Sequence, residues 1–94
     1  MAVYRITRFT SSNMDKAVEG AEAARSEIEA LGADFIDLVS DGEGNGVVIA
    51  KYPDTATMEA ATATAQQVFG QMIQEGAMDG ASIDIWSGDV VSTL

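Results

Sequence analysis

Five side chains in this sequence carry the chemistry of a small-molecule site: Arg5, Asp37, Lys51, Asp84 and Trp86. A guanidinium matches a planar carboxylate or enolate with paired N–H donors. An aspartate withdrawn from water has a raised pKa and can act as a base, a role open to Asp84 or Asp37. An indole supplies a stacking wall. Gathered round an apolar hollow, two cations, two carboxylates and one indole make a ligand pocket, in which apolar walls carry a few placed polar groups. The same residues fit a second reading. Arg5 with Asp84, and Lys51 with Asp37, can be cross-strand ion pairs that fix register inside an interface. Both readings require the five to share one face.

Much other chemistry is excluded. The chain has no His and no Cys, which removes thiol nucleophiles, imidazole bases and the soft metal ligands, so no metal and no cofactor is expected. The serines Ser11, Ser12, Ser40, Ser82, Ser87 and Ser92 have no His or neighbouring Lys to activate them. The segment Asp41-x-Glu43-x-Asn45-Gly46 resembles the opening of a calcium loop, but the twelfth position is Tyr52 where a bidentate Glu is needed. A glycine-rich hairpin explains it better. No glycine pattern joins a strand to a helix, so a phosphate cradle has no support. Fifteen acidic residues against five basic give a net charge of -10, which repels nucleic-acid backbones and anionic membrane surfaces. No apolar run is long enough for a membrane span. The first residues lack a basic stretch leading into a hydrophobic one, so no signal peptide is expected and the cytoplasm is the default compartment.

The elements that must position the five residues follow from periodicity. Residues 2–10 alternate as a strand, with Tyr4, Ile6 and Arg8 on one side and Val3, Arg5, Thr7 and Phe9 on the other. Ser12 reads as an N-cap, with Asp15 three residues on. Met14, Ala17, Val18, Ala21, Ala24, Ile28 and Leu31 step by threes and fours and predict one helix over 14–31, ended by Gly32. Phe35 to Val39 and Val47 to Tyr52 read as strands joined by a hairpin at 41–46. Pro53 stops the second, and Asp54 or Thr55 caps a helix over 57–74 that buries Met58, Ala61, Ala65, Val68, Phe69, Met72 and Ile73. Gly76 to Gly80 break it, and Ser82 to Trp86 form the last strand. The apolar tail of Val90, Val91 and Leu94 suits packing on a partner subunit.

The order is βαββαβ across one domain of residues 1–94, the split unit of a ferredoxin-like α+β sandwich with a four-stranded antiparallel sheet and two helices on one face. With strand order 4-1-3-2, Ile6, Ile36, Leu38, Val48, Ala50, Ile83 and Ile85 are expected beneath the helices. The open face is expected to hold Val3, Arg5, Thr7, Phe9, Phe35, Asp37, Val39, Ile49, Lys51, Ser82, Asp84 and Trp86. That face is too apolar for water. A chain of 94 residues with 47% apolar content and no disulfide is short of core, and a homodimer packed sheet to sheet answers both needs.

The βαββαβ order with an apolar open sheet, together with Tyr52-Pro53-Asp54 running into Glu59-Ala60-Ala61, resembles the dimeric α+β barrel superfamily over residues 2 to about 88. The small antibiotic-biosynthesis-monooxygenase-like and stress-responsive members are the most similar in kind. The resemblance implies a homodimer forming a shared barrel. It does not carry a catalytic role to any position. Haem-binding members use a His, which this chain lacks; the quinone-forming members use Asn, Trp and Tyr residues, of which Trp86, Tyr4 and Tyr52 are the types present here, with no position-by-position match to carry a role over. The expected function is therefore binding of a small organic molecule in the cavity of the open face by Arg5, Asp37, Lys51, Asp84 and Trp86. A cofactor-independent monooxygenase or isomerase using the same cavity, or an assembly unit without ligand, are the alternatives.

Overall fold

In a computed structural model describing residues 1–94, β1 (Val3–Thr10) leads through Asn13 into α1 (Met14–Ala23). Asn13, not Ser12, is the N-cap: its Oδ1 accepts the Lys16 N–H at 3.2 Å. Ser11 holds the entry instead. Its Oγ accepts the Asn13 N–H at 3.1 Å and donates to the Ala77 carbonyl at 2.6 Å, so the cap falls one residue later than expected while the helix starts at Met14 as the pattern predicts. The single helix expected over 14–31 is two. It turns at Ala24 (φ -93°, ψ 5°) and resumes as α2 (Arg25–Glu29). Ala23, Ala24 and Arg25 are good helix formers, so the break is a tertiary effect, and buried Ala24 packs in the core at that point.

Gly32 (φ +79°) closes the helical segment in the left-handed conformation that only glycine adopts at little cost. β2 (Phe35–Ser40) and β3 (Asn45–Tyr52) form the hairpin. The Asp41 carboxylate holds its loop, accepting the N–H groups of Glu43 (2.7 Å) and Asn45 (3.2 Å) and the Asn45 side-chain amide (2.7 Å). The alternating oxygens are thus an Asx-turn arrangement. α3 (Thr55–Gln74) is capped by Asp54, whose Oδ1 accepts the Thr57 N–H at 2.7 Å. A 3-10 turn (Gly80–Ser82) precedes β4 (Asp84–Asp89). The last strand lies later than the expected 82–86 because Ser82 is engaged elsewhere: its Oγ accepts the Thr10 N–H at 2.8 Å and donates to Asp79 O at 2.6 Å.

The sheet order is β2-β3-β1-β4 with every pair antiparallel, and the helices cover one face. This is the ferredoxin-like arrangement expected. The sides of β1 are reversed, however. Val3, Arg5, Thr7 and Phe9 face the helices, and Tyr4, Ile6 and Arg8 face outward. Phe9 decides the matter. It pairs with Gly46 across the sheet, and a Cβ on Gly46 would lie 2.4 Å from the Phe9 ring. The ring fits under the helices only because its neighbour has no side chain. Ile85, opposite Thr7, lies on the helix side as expected but stays exposed, because β4 is an edge strand the helices do not reach.

Two outcomes follow from these contacts. Gly46→Ala is expected to destabilise the chain by about 1–3 kcal/mol through overpacking, read by urea unfolding. Phe9→Leu in the same background should recover part of the loss, and a neutral Gly46→Ala would remove the steric account. The second concerns acid. Hydrogen bonds from Asn45 and Glu43 hold the Asp41 carboxyl below its ordinary value, and those from Thr57 do so for Asp54. Folded values below the unfolded ones mean stabilisation that is complete above about pH 4 and lost as pH falls through the folded values. Asp41→Asn with Asp54→Asn should flatten the acid limb of the stability profile below about pH 4; an unchanged limb would place the acid-sensitive groups elsewhere.

Candidate functional site

The core is in two pieces. One gathers Phe9, Ala17, Ala24, Val68, Met72 and Met78; the other gathers Val3, Ala50, Tyr52, Met58 and Ala61. On β1 the seam between them falls at Arg5 and Thr7, and on α3 it falls between Ala61 and Val68. Small Ala65 leaves space there, and a narrow cavity of about 50 Å³ opens among Arg5, Thr7, Ala50, Tyr52, Ala65 and Phe69. It shares Ile28, Ile36, Val48, Val68 and Phe69 with an outer cavity of about 350 Å³, whose mouth carries Glu22, Arg25, Glu29 and Asp34. The two hollows lie side by side, the outer one beside α2 and the inner one in the seam of the core. Their walls are mostly apolar, as those of ligand cavities are.

Arg5 is the one charged group in the inner chamber. Its Nη2 donates to the Met58 carbonyl (3.1 Å) and to Thr62 Oγ1 (2.6 Å), both on α3, and its guanidinium carbon stands 5.9 Å from the centre of the Tyr52 ring. No carboxylate pairs with it, because the chain's single ion pair joins Arg25 to Glu22 at the mouth. Tyr52 is 2% exposed. Burial pushes its phenol up, against the opposing charge of Arg5, so the hydroxyl stays protonated at neutral pH.

The five residues singled out in the sequence do not come together. Arg5 is in the cavity; Asp37, Lys51, Asp84 and Trp86 lie on the open face. There the registers set three rows, with Gly88, Tyr4, Lys51 and Phe35 in the first, Trp86, Ile6, Ile49 and Asp37 in the second, and Asp84, Arg8, Val47 and Val39 in the third. The cation opposite Asp84 is Arg8, not Arg5. Lys51 stands 6.0 Å from the Tyr4 ring centre, and Tyr4 meets Phe35 edge-on with centroids 6.1 Å apart. Neither expected ion pair forms. Trp86 is 60% exposed and its ring lies over Gly88, where a Cβ would fall 2.6 Å from it. Asp84 and Arg8 edge a broad, open depression at the hairpin end of this face. The cavity residues Thr7 and Ala65, and Thr62, which holds Arg5 from α3, drew no functional reading from the sequence. The available signal was the run of small residues between Met58 and Val68.

No protein-family model and no curated protein matches the sequence. Solved structures do match. A dimeric ferredoxin-like protein of unknown function from Jannaschia sp. CCS1 aligns with a TM-score of 0.72 at 15% identity, over 96% of this chain and 100% of its own. A dimeric ferredoxin-like protein from an uncultured marine organism aligns with 0.69 at 13%, over 99% and 90%. The fold these structures share with the chain is the ferredoxin-like α+β sandwich. SnoaB, a cofactor-independent oxygenase from Streptomyces nogalater, aligns with a TM-score of 0.65 at 18% identity over 99% of this chain and 96% of its own. At these identities the likeness fixes the ferredoxin-like fold of this chain and not its chemistry.

An unpaired guanidinium in an apolar seam is a cost to folding. Arg5→Met is therefore expected to keep the fold and raise the thermal midpoint, by about 1 kcal/mol of stability, as site residues replaced by apolar ones often do. A fall of several degrees would instead make Arg5 a brace for α3.

Proposed function

We propose that the chain is a homodimer, packed through its open sheet faces, that binds a small organic molecule in each subunit between sheet and helices. The observation that supports the ligand is the divided core. A chain this small is short of apolar burial, yet its core falls into two clusters with a narrow cavity lined by both, beside a larger outer cavity. Filling the seam with larger side chains would be an easy gain in stability, so the hollow reads as space reserved for a guest. Its position differs from the open-face site expected from the sequence. The four expected residues that remain on the open face serve the interface in this reading.

Charge supports the interface. The chain carries -10 in all, but the open face holds Arg8 and Lys51 against Asp37 and Asp84, two of each sign and so net zero. The whole excess of acid lies elsewhere. This face also presents Phe35, Val39 and Trp86 exposed, so it is where two copies can approach without mutual repulsion and with apolar surface to bury. The two neighbours described as dimeric share the fold.

The test uses native mass spectrometry and a fluorescence titration with 1-naphthol. Wild type should run as two chains, and Ile49→Asp, at the centre of the open face, as one. A wild-type monomer would overturn the dimer. Ala65→Phe, which fills the seam, should remain dimeric and weaken naphthol binding at least tenfold. Equal binding by this variant would overturn the cavity.

A further inference from the structure

Within that cavity reading, we infer that the guest is a monoanion on an apolar body, of which a hydrophobic monocarboxylate is the simplest case, with Arg5 as its counter-ion and Thr62 as the residue that positions Arg5. Three observations combine. The first is the missing partner. Arg5 is half-buried among apolar walls and no carboxylate of the chain pairs with it. A cation in such a place is stabilised most by an opposite charge brought to it. The protein leaves that charge unsupplied although fifteen of its residues are acidic.

The second is how the guanidinium is held. Nη2 is tied to α3 through Met58 O and Thr62 Oγ1, while Nε and Nη1 take no acceptor from the protein. Thr62 is itself fixed, its hydroxyl donating to the same Met58 carbonyl at 3.3 Å. One end of the group is anchored and the remaining donors are unspent. Anchoring removes the rotamer freedom that a ligand would otherwise have to freeze. Charge-assisted hydrogen bonds from such a group to an anionic oxygen are stronger than those to a neutral one.

The third sets the number of charges. The mouth is lined by Glu22, Glu29 and Asp34, and Arg25 is already paired to Glu22. The way in is therefore acidic. One negative charge meets one matching cation inside, but a second would remain near these carboxylates with nothing to neutralise it.

Three naphthalene probes of one shape separate the possibilities by titration calorimetry: 2-naphthoate, 2-naphthamide and naphthalene-2,6-dicarboxylate. Wild type is expected to bind 2-naphthoate at least tenfold tighter than either of the others. Arg5→Met should bind naphthoate and naphthamide alike. Thr62→Val should lose most of the preference and Thr62→Ser should keep it, with circular dichroism showing each variant folded. A merely structural Thr62 would alter stability without changing the ratio of the two affinities. Equal binding of naphthoate and naphthamide by wild type would overturn the monoanion while leaving the cavity reading in place. Failure of all three to bind would overturn the cavity reading and this inference with it. Tighter binding of the dicarboxylate than of naphthoate would overturn the single-charge assignment.

Discussion

The position of Arg5 on the inner face of the central strand governs this structure. A guanidinium in the middle of a small core cannot be packed over like a leucine; it needs acceptors and room. α3 supplies acceptors through Met58 O and Thr62 Oγ1, and Tyr52 supplies a ring beside it. The apolar residues then close on either side of it, toward Val3 and Tyr52 at one end and toward Phe9 and Met72 at the other. The cavity is the interval between those two closures. Its existence is a consequence of one charged residue on the core face of β1 and one small residue, Ala65, across from it.

The outward face follows a different rule. Its three rows mix aromatic, branched and charged side chains, with acids and bases in equal number, while the rest of the surface carries the acid excess. Long-range repulsion between two such subunits falls mainly on the helical sides, which point away from each other when sheets face sheets. Trp86 shows how the face is kept flat. Its ring lies down over Gly88, where a larger residue would lift it into the path of an approaching surface.

What could be read from the sequence was local. Element order, the Asp54 cap, the glycine at position 32 and the Asp41 loop are each set by residues a few positions apart, and each is present. What could not be read depends on contacts between distant segments. β1 carries one arginine on each side, Arg5 on one and Arg8 on the other, with aromatic and branched residues on both, so alternation alone has no preference for either orientation. The preference comes from the pairing of Phe9 with Gly46 across 37 positions of chain. With β1 reversed, Arg5 leaves the group of five and Arg8 joins it. The cavity was hidden for the same reason, since Ala65 reads as ordinary helix packing until β1 is placed beneath it.

β1 also explains how one thin sheet serves two surfaces. In a strand, successive side chains leave on opposite sides, so Arg5 and Thr7 line the cavity while Tyr4, Ile6 and Arg8 stand on the open face. The two sets share a backbone but no side-chain contact surface. A change on either set acts on the other only by moving the strand itself, and β1 is an interior strand, hydrogen-bonded along both edges by β3 and β4. The inner and outer faces can therefore vary in sequence almost independently. A change of register in β1 by one residue would exchange them completely, placing Arg8 in the core and Arg5 on the open face. Phe9 over Gly46 prevents that exchange, because after a one-residue slip the ring would meet a side chain where it now meets none.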